Sequence, residues 1–505
     1  MNTPHHQTIE HPRLLFFLSF ATYAIGIGCG IMPNWVLGIE LCLLFPLAII
    51  LLGWWQRWYI IVLTLALSLG GWYMWHRDYA ERQAAWMSIE RWTGGFSGSY
   101  IVTGRVDRLL YTSDLSSTYR LYIDKIANRS TGHTGSAIGE NRGIFLEIPS
   151  NLHIAIGDTI EYTGKILPVI EYPLRGFSWY AWYHRVYGKS TVPIFKRVSR
   201  SDPAVLTLVQ SWAKSVIFRW FPENVAGIVL GMTIGNIELL SSETKKTFTN
   251  AGITHILVVS GSNIAFVIVI LTGILRYIPM RRWIRSGVVI LFVLVYGSLV
   301  GWDMPVVRAV AMGLITYMAI EWGKRASSLA ILFLVGWCIL LYSPLALIYD
   351  AGFGLSFAGT LGILLWHPPL QRLLANRYTP RFLIDIVSVT LAASAGSIIA
   401  IIYHFGVIPL FTIVSNILIS GVLGWILLTS VLYLLFALIG GWLLYIWGWT
   451  IYLPTAYIMW VGQFFGNGYI YTLDEKWAEP LAIFLIGIMI SIVLYMEWKN
   501  LLQPE

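Results

Sequence analysis

Charge is what this sequence has least of: only 12% of its 505 residues are Asp, Glu, Lys or Arg, against roughly a quarter in a soluble chain. With 57% apolar residues and a mean hydropathy of +0.67, water is excluded as the solvent for most of the chain. Cysteine is also scarce. Cys29, Cys42 and Cys338 all fall inside apolar segments with no C-x-x-C spacing, which excludes a disulfide framework and a cysteine zinc site. The ten histidines contain neither an H-x-H-x-D-H cluster nor an H-E-x-x-H pair, and no Walker A sequence occurs. The expectation is therefore a chain with no catalytic residue, metal or cofactor of its own.

What is present is membrane-length apolar sequence. Leu14 to Met32, Trp35 to Gly53 and Trp58 to Trp75 read as three consecutive spans, the first an uncleaved anchor because no small-x-small cleavage site ends it. The formal net charge of +8 reports orientation first, since Lys and Arg stay on the cytoplasmic side. Arg13 and Arg57 then place the N-terminus inside, and the third span delivers the chain outside at His76-Arg77. Near residue 98 the pattern changes to alternation. Tyr100–Val106, Tyr119–Asp124, Gly143–Ile148 and Thr159–Ile166 read as strands separated by Gly, Ser, Asn and Asp clusters. About five such strands in roughly 100 residues suit a small Greek-key barrel of the OB kind. Its 13 basic and 8 acidic residues fit a polyanion and a solvated face about equally.

Pro203 to Pro222 carries apolar residues at 205, 208, 209, 212, 216 and 220 against Gln210, Lys214 and Arg219, an amphipathic helix for the outer leaflet. From Ile253 the spans resume. The basic loops Arg276 to Arg285, Lys324-Arg325 and Arg372 to Arg381 alternate with acidic or neutral turns at Asp303, Asp350 and Phe405. Phe405 to Leu473 has no charged residue and divides near Gly440-Gly441, with Gly421, Gly424 and Pro454 as candidate break points. Ala478 to Glu497 is a last span. The expected fold is mostly α, a polytopic helical membrane protein of about twelve spans with an inserted external OB-like barrel. Its divisions are a three-span region at 1–97, the barrel at 98–200, interfacial helices at 201–252 and a polytopic domain at 253–505.

Polar residues inside apolar runs are the informative ones, because they face a bundle interior or an aqueous path. His255 heads a span whose Ser260, Gly261, Ser262 and Asn263 are either a packing notch or an unwound segment along a cavity. Arg308 lies a turn inside the helix after Asp303 and needs compensation there. A structural ion pair with Asp303 or Asp350 and a contact to phosphates are equally open. After Asp350, the spacing of Gly352, Ser356 and Gly359 fits close helix packing, and Phe353 and Phe357 beside them form either core or a ridge for bases. His404 reads as an interfacial histidine at a span end.

Together Gly231 to Gly235, Ala251 to Val267, Gly301 to Met312, Asp350 to Gly362 and His404 to Asn416 resemble the ComEC family of competence proteins, inner-membrane channels for single-stranded DNA. The order of early spans, external β-domain and polytopic domain is similar too. The resemblance implies single-stranded DNA and the lipid bilayer as partners, a bacterial plasma-membrane location, and a DNA path that includes Asn416. It also implies a cytoplasmic translocase, an external DNA receptor and a separate nuclease, since the metallo-β-lactamase-like domain of longer members has no counterpart here. Many members have Leu-His where this chain has Ser262-Asn263, so no role carries over from that histidine. Two alternatives stay open: a membrane enzyme using His255, Asp350 or His404 as acid or base, and a small-solute transporter binding at Ser260 to Asn263.

Overall fold

The computed structural model describes residues 20–25, 27, 58–93, 98–112, 116–129, 134–136, 142–149, 154, 156–169, 181, 183–199, 205–235, 240–257, 259, 261–324, 327–375, 378–438, 440, 443–467, 470–473, 480–482, 484–489 and 492. Ser260, Arg325, the span expected at 35–53, and most of those expected at 14–32 and 478–497 lie outside them. The first described element, α1 (Trp58–Thr93), does not stop at His76. It is 36 residues long. At 1.5 Å per residue that is about 54 Å, some 24 Å more than a hydrocarbon core needs, so its second half is a stalk. The stalk carries the β-domain: Arg82 pairs with Asp78 at 3.2 Å and donates to the Tyr183 carbonyl, while Arg142 donates to Ser88 Oγ at 2.6 Å.

The β-domain holds β1 (Tyr100–Thr112), β2 (Ser116–Asn128), β3 (Thr134–Ser136), β4 (Gly143–Pro149), β5 (Thr159–Pro168) and β6 (Val186–Ser199). Alternate residues of β2 are buried, as its apolar/polar alternation requires. The sheet order is β1-β5-β6-β4-β2-β3, and a further β1–β2 pairing joins its ends into a ring of five strands. All pairs are antiparallel except β4–β6. Tyr100, Leu121, Ile144, Ile160 and Tyr162 fill the centre. The sixth strand was not among those read from the sequence. Gly188 and Pro193 interrupt its pattern, and the register shift opposite Thr163/Lys165 accommodates the proline.

Next come α2 (Val205–Trp220), α3 (Glu223–Ile234) and α4 (Ser242–Asn250). Helix α2 is amphipathic: it buries Ala213 and Ile217 and turns Val205, Leu208, Val209 and Trp220 outward. Helix α3 is buried from Val225 to Ile234. A 3-10 turn at Thr254–Ile256 leads to α5 (Gly261–Leu275), then α6 (Arg282–Val300), α7 (Met304–Glu321), α8 (Ser328–Tyr342), a short α9 (Ala346–Tyr349), α10 (Ala351–Leu374) and α11 (Arg381–Phe405). Strand β7 (Val407–Pro409) precedes α12 (Thr412–Ala437) and α13 (Leu443–Gly466), and β8 (Ile470–Thr472) pairs with β7.

Five described segments are long and apolar enough to cross a membrane: 254–275 and helices α6, α7, α11 and α12. The chain breaks between α12 and α13 where Gly440-Gly441 predicted it, with Gly440 at φ 75°. Gly421, Gly424 and Pro454 are not breaks, because α12 and α13 run through them. Helices α10 and α11 cross backbone to backbone. A Cβ on Gly362 would stand 2.4 Å from the Ala392 carbonyl oxygen, and one on Gly396 2.1 Å from that of Ala358.

Candidate functional site

Five helices close a ring: α5 packs on α7, α7 on α10, α10 on α11, α11 on α12, and α12 on α5. Inside it is a cavity of about 2480 Å³. Helix α7 lines it from Met304 and Pro305 through Arg308, Met312 and Thr316 to Glu321, one face for all 18 residues. That face is about 27 Å long, close to the thickness of a hydrocarbon core. Asp350, Gly352, Ser356, Gly359 and Thr360 of the α10 segment line the same space.

The β-domain stands over one end. Arg108 of β1 pairs with Asp303 at 2.9 Å, and Tyr183 lies 3.3 Å from Ser343 Oγ, so the α6–α7 and α8–α9 turns are tied to it. Arg108 and His184 line the cavity mouth. Burial, with Arg120 and Arg108 nearby, pushes the His184 imidazole down to about 4, so it is neutral at pH 7. At the far ends of these helices are Arg276, Arg285 and Glu321, beside the basic turns. Acidic and basic turns thus sit at opposite ends of the bundle, as their alternation along the sequence requires.

Arg308 is the cation set furthest from the turns among the described lining residues of the ring. Its Nε donates to Ser356 Oγ and its Nη1 to Thr360 Oγ1, both at 2.5 Å, with Met312 Sδ 3.6 Å away. Thr360 passes the polarisation on, donating to the Ser356 carbonyl at 2.8 Å. Of the two readings left open for Arg308, the ion pair is not formed: Asp303 holds Arg108 instead, and Asp350 Oδ1 accepts from the Phe353 N–H at 2.9 Å, capping α10. Among the described residues no carboxylate lies within 4.0 Å of the Arg308 guanidinium, and two hydroxyls serve in place of a counterion. Gly261 makes room for it, since a Cβ there would stand 3.0 Å from Nη2.

Of the residues singled out from the sequence, His255, Gly261, Ser262, Asn263, Arg308, Asp350, Gly352, Ser356 and Asn416 line this one cavity. Ser260 lies outside the described residues. Gly261 to Asn263 form the first turn of α5 rather than an unwound middle. Asn263 has a structural task as well, because its Nδ2 donates to the Met232 carbonyl at 3.0 Å while Tyr296 Oη donates to that of Thr233. These two side chains satisfy carbonyls in the last turn of α3, which is buried throughout. Asn416 Oδ1 is buried without a partner among the described residues. Phe353 and Phe357 are corrections, since both are buried in a stack with Phe20 and Phe333 and neither lines the cavity. His404 is not among the lining residues either; its Nε2 packs against Gly354, where a Cβ would be 2.9 Å away. Sequence reading missed Thr360 and the Arg108–Asp303 contact. Thr360 follows Ser356 at the i+4 spacing, a usable signal, but nothing local pairs residues 195 positions apart.

Fold and site define a polytopic helical membrane protein whose bundle lines an open cavity under a β-domain. The profile of a family described as "Competence protein" matches residues 232–500, more than half of the chain, and the chain belongs to this ComEC family of competence proteins. It is 29% identical over 205 residues to "ComE operon protein 3" of Bacillus subtilis (strain 168), an alignment covering 39% of this chain and 24% of that one. It is 32% identical over 145 residues to an uncharacterized protein of Aquifex aeolicus (strain VF5), covering 28% and 34%. The matched regions thus span about a quarter and a third of those relatives. No solved structure matches the chain.

Proposed function

We propose that this protein is a plasma-membrane channel for single-stranded DNA in natural transformation, with the β-domain receiving the strand outside and the α5–α7–α10–α11–α12 ring conducting it. The observation that carries this reading is the cavity running the length of α7 with Arg308, held by hydroxyls rather than a carboxylate, on its wall. A buried guanidinium in a membrane-spanning helix needs compensation, and Arg308 stands one turn inside α7. A passing phosphate is the counterion it lacks.

Supporting the reading, the ring of pairings β1-β2-β4-β6-β5 with one parallel pair has the connectivity of an OB-type barrel, a fold suited to single strands. The basic turns opposite this domain favour a cytoplasmic N-terminus and an external β-domain. A translocase inside supplies the driving energy, and a receptor and a nuclease outside supply the strand.

A photo-crosslinking residue tests the path. Placed at Ile363, which lines the cavity, it becomes attached to labelled DNA during uptake; placed at Trp460, exposed on α13 and outside the cavity, it does not. Uptake that proceeds with no crosslink at Ile363 removes the cavity from the path.

A further inference from the structure

The inner end of the cavity repeats the chemistry of its outer mouth. Asp303 stands just before α7 and holds Arg108; Glu321 is the last residue of α7 and holds Arg285. Arg285 Nε donates to Glu321 Oε1 at 3.1 Å, and both side chains are largely buried, 19% and 12% exposed. Arg276, at the end of α5, lines the same inner end and is exposed, with no carboxylate partner among the described residues. Two guanidinium groups and one carboxylate therefore face the inner end, leaving an excess positive charge inside the cavity wall.

A purely structural clamp needs Arg285 and Glu321 alone, whereas Arg276 lines the same end of the cavity beside them. Such a clamp would also leave unexplained why α7 supplies, at both its ends, the carboxylate that occupies a cavity-lining arginine. We propose that Arg285 and Arg276 form an exit-end phosphodiester site, with Glu321 as the resident counter-anion that a phosphate of the strand displaces. The site rests on the reading of the protein as a single-strand channel. Along α7 it completes a series of guanidinium groups: Arg108 at the mouth, Arg308 near the outer end and Arg285 about 27 Å from the mouth. A carboxylate and a phosphate compete for the same planar fork of donors, so the two pairs hold Arg108 and Arg285 oriented until the strand exchanges with them.

The test is binding of a fluorescent oligothymidylate to the purified full chain in nanodiscs, measured across salt concentrations. Glu321→Gln frees Arg285, and affinity rises about fivefold or more. Arg285→Gln and Arg276→Gln each weaken binding, and each makes the plot of log K against log salt shallower by about 0.7, the single-strand value for one phosphate contact. Arg285→Lys keeps most of the slope, which guards against misreading a folding defect. Unchanged affinity and slope in Glu321→Gln overturn the exit site, while a wild-type chain that binds no oligothymidylate overturns it together with the channel reading. A third contrary result is Glu321→Gln retaining more phosphatidylglycerol with no gain in oligothymidylate binding, which would make this a lipid headgroup site. Restoration of wild-type binding in the Arg285→Gln/Glu321→Gln pair would make it a structural clamp.

Discussion

At the scale of residues, Arg308 separates an ion-pair role from a transport role because its partners are hydroxyls. Removing one member of a buried ion pair strands the other charge, whereas removing Arg308 strands only Ser356 and Thr360, which can turn to backbone carbonyls. Arg308→Gln is expected to keep its abundance, with stability within about 1.5 kcal/mol of wild type, while DNA uptake falls roughly tenfold or more. Quantitative membrane immunoblots beside uptake counts check this, and loss of the protein itself would return Arg308 to a structural role. Gly261→Leu acts on the same group by pushing the guanidinium away, so it should lower uptake without removing the protein from the membrane. His184 offers a pH test. Its folded value near 4 lies below the ordinary 6.5, so its contribution to stability is full above pH 6.5 and is lost as pH falls through about 4. His184→Gln, neutral throughout, should flatten that part of the thermal stability profile between pH 7 and 4. A variant that loses stability on acidification as steeply as wild type would show that other groups carry the dependence.

At the scale of elements, the α10–α11 crossing has no room for a side chain at Gly362, where a Cβ would be 2.4 Å from one backbone atom and 2.9 Å from another. Gly362→Leu should destabilise the detergent-solubilised chain by about 3 kcal/mol or more, since backbone cannot yield as a flexible side chain does. A melting temperature unchanged by this substitution would mean that the two helices do not approach in this way. The same segment shows how far the sequence is legible. Glycine and serine at three- and four-residue spacing in 352–362 announce a helix with a close neighbour, and α10 is that helix. They do not announce that Gly362 serves the crossing while Gly352, Ser356 and Gly359 line the cavity, because packing and lining use the same small residues. Strands β1, β2, β4 and β5 alternate visibly, whereas β6 hides behind Gly188 and Pro193. Helix α12 runs through Gly421 and Gly424 without a break, because every backbone group at membrane depth still gains by staying in the helix.

At the scale of the whole molecule, one geometric fact orders the rest: the β-domain and the basic turns lie at opposite ends of the bundle. In a chain freed of its three native cysteines, Ile194→Cys in β6 should react with an impermeant maleimide in intact cells, and Tyr378→Cys in the α10–α11 turn only after permeabilisation. The reverse pattern would invert the whole chain. The ring of helices was beyond sequence reading, since hydropathy reports which segments enter lipid and not which of them stand next to each other. The central claim, that this cavity carries incoming DNA, meets its most direct test in the native host. The measurement is the amount of labelled transforming DNA that reaches a nuclease-protected cytoplasmic pool, with and without this gene. The account predicts that deletion abolishes the protected pool and that the wild-type gene, supplied in trans, restores it. Equal protected DNA in the two strains would contradict it.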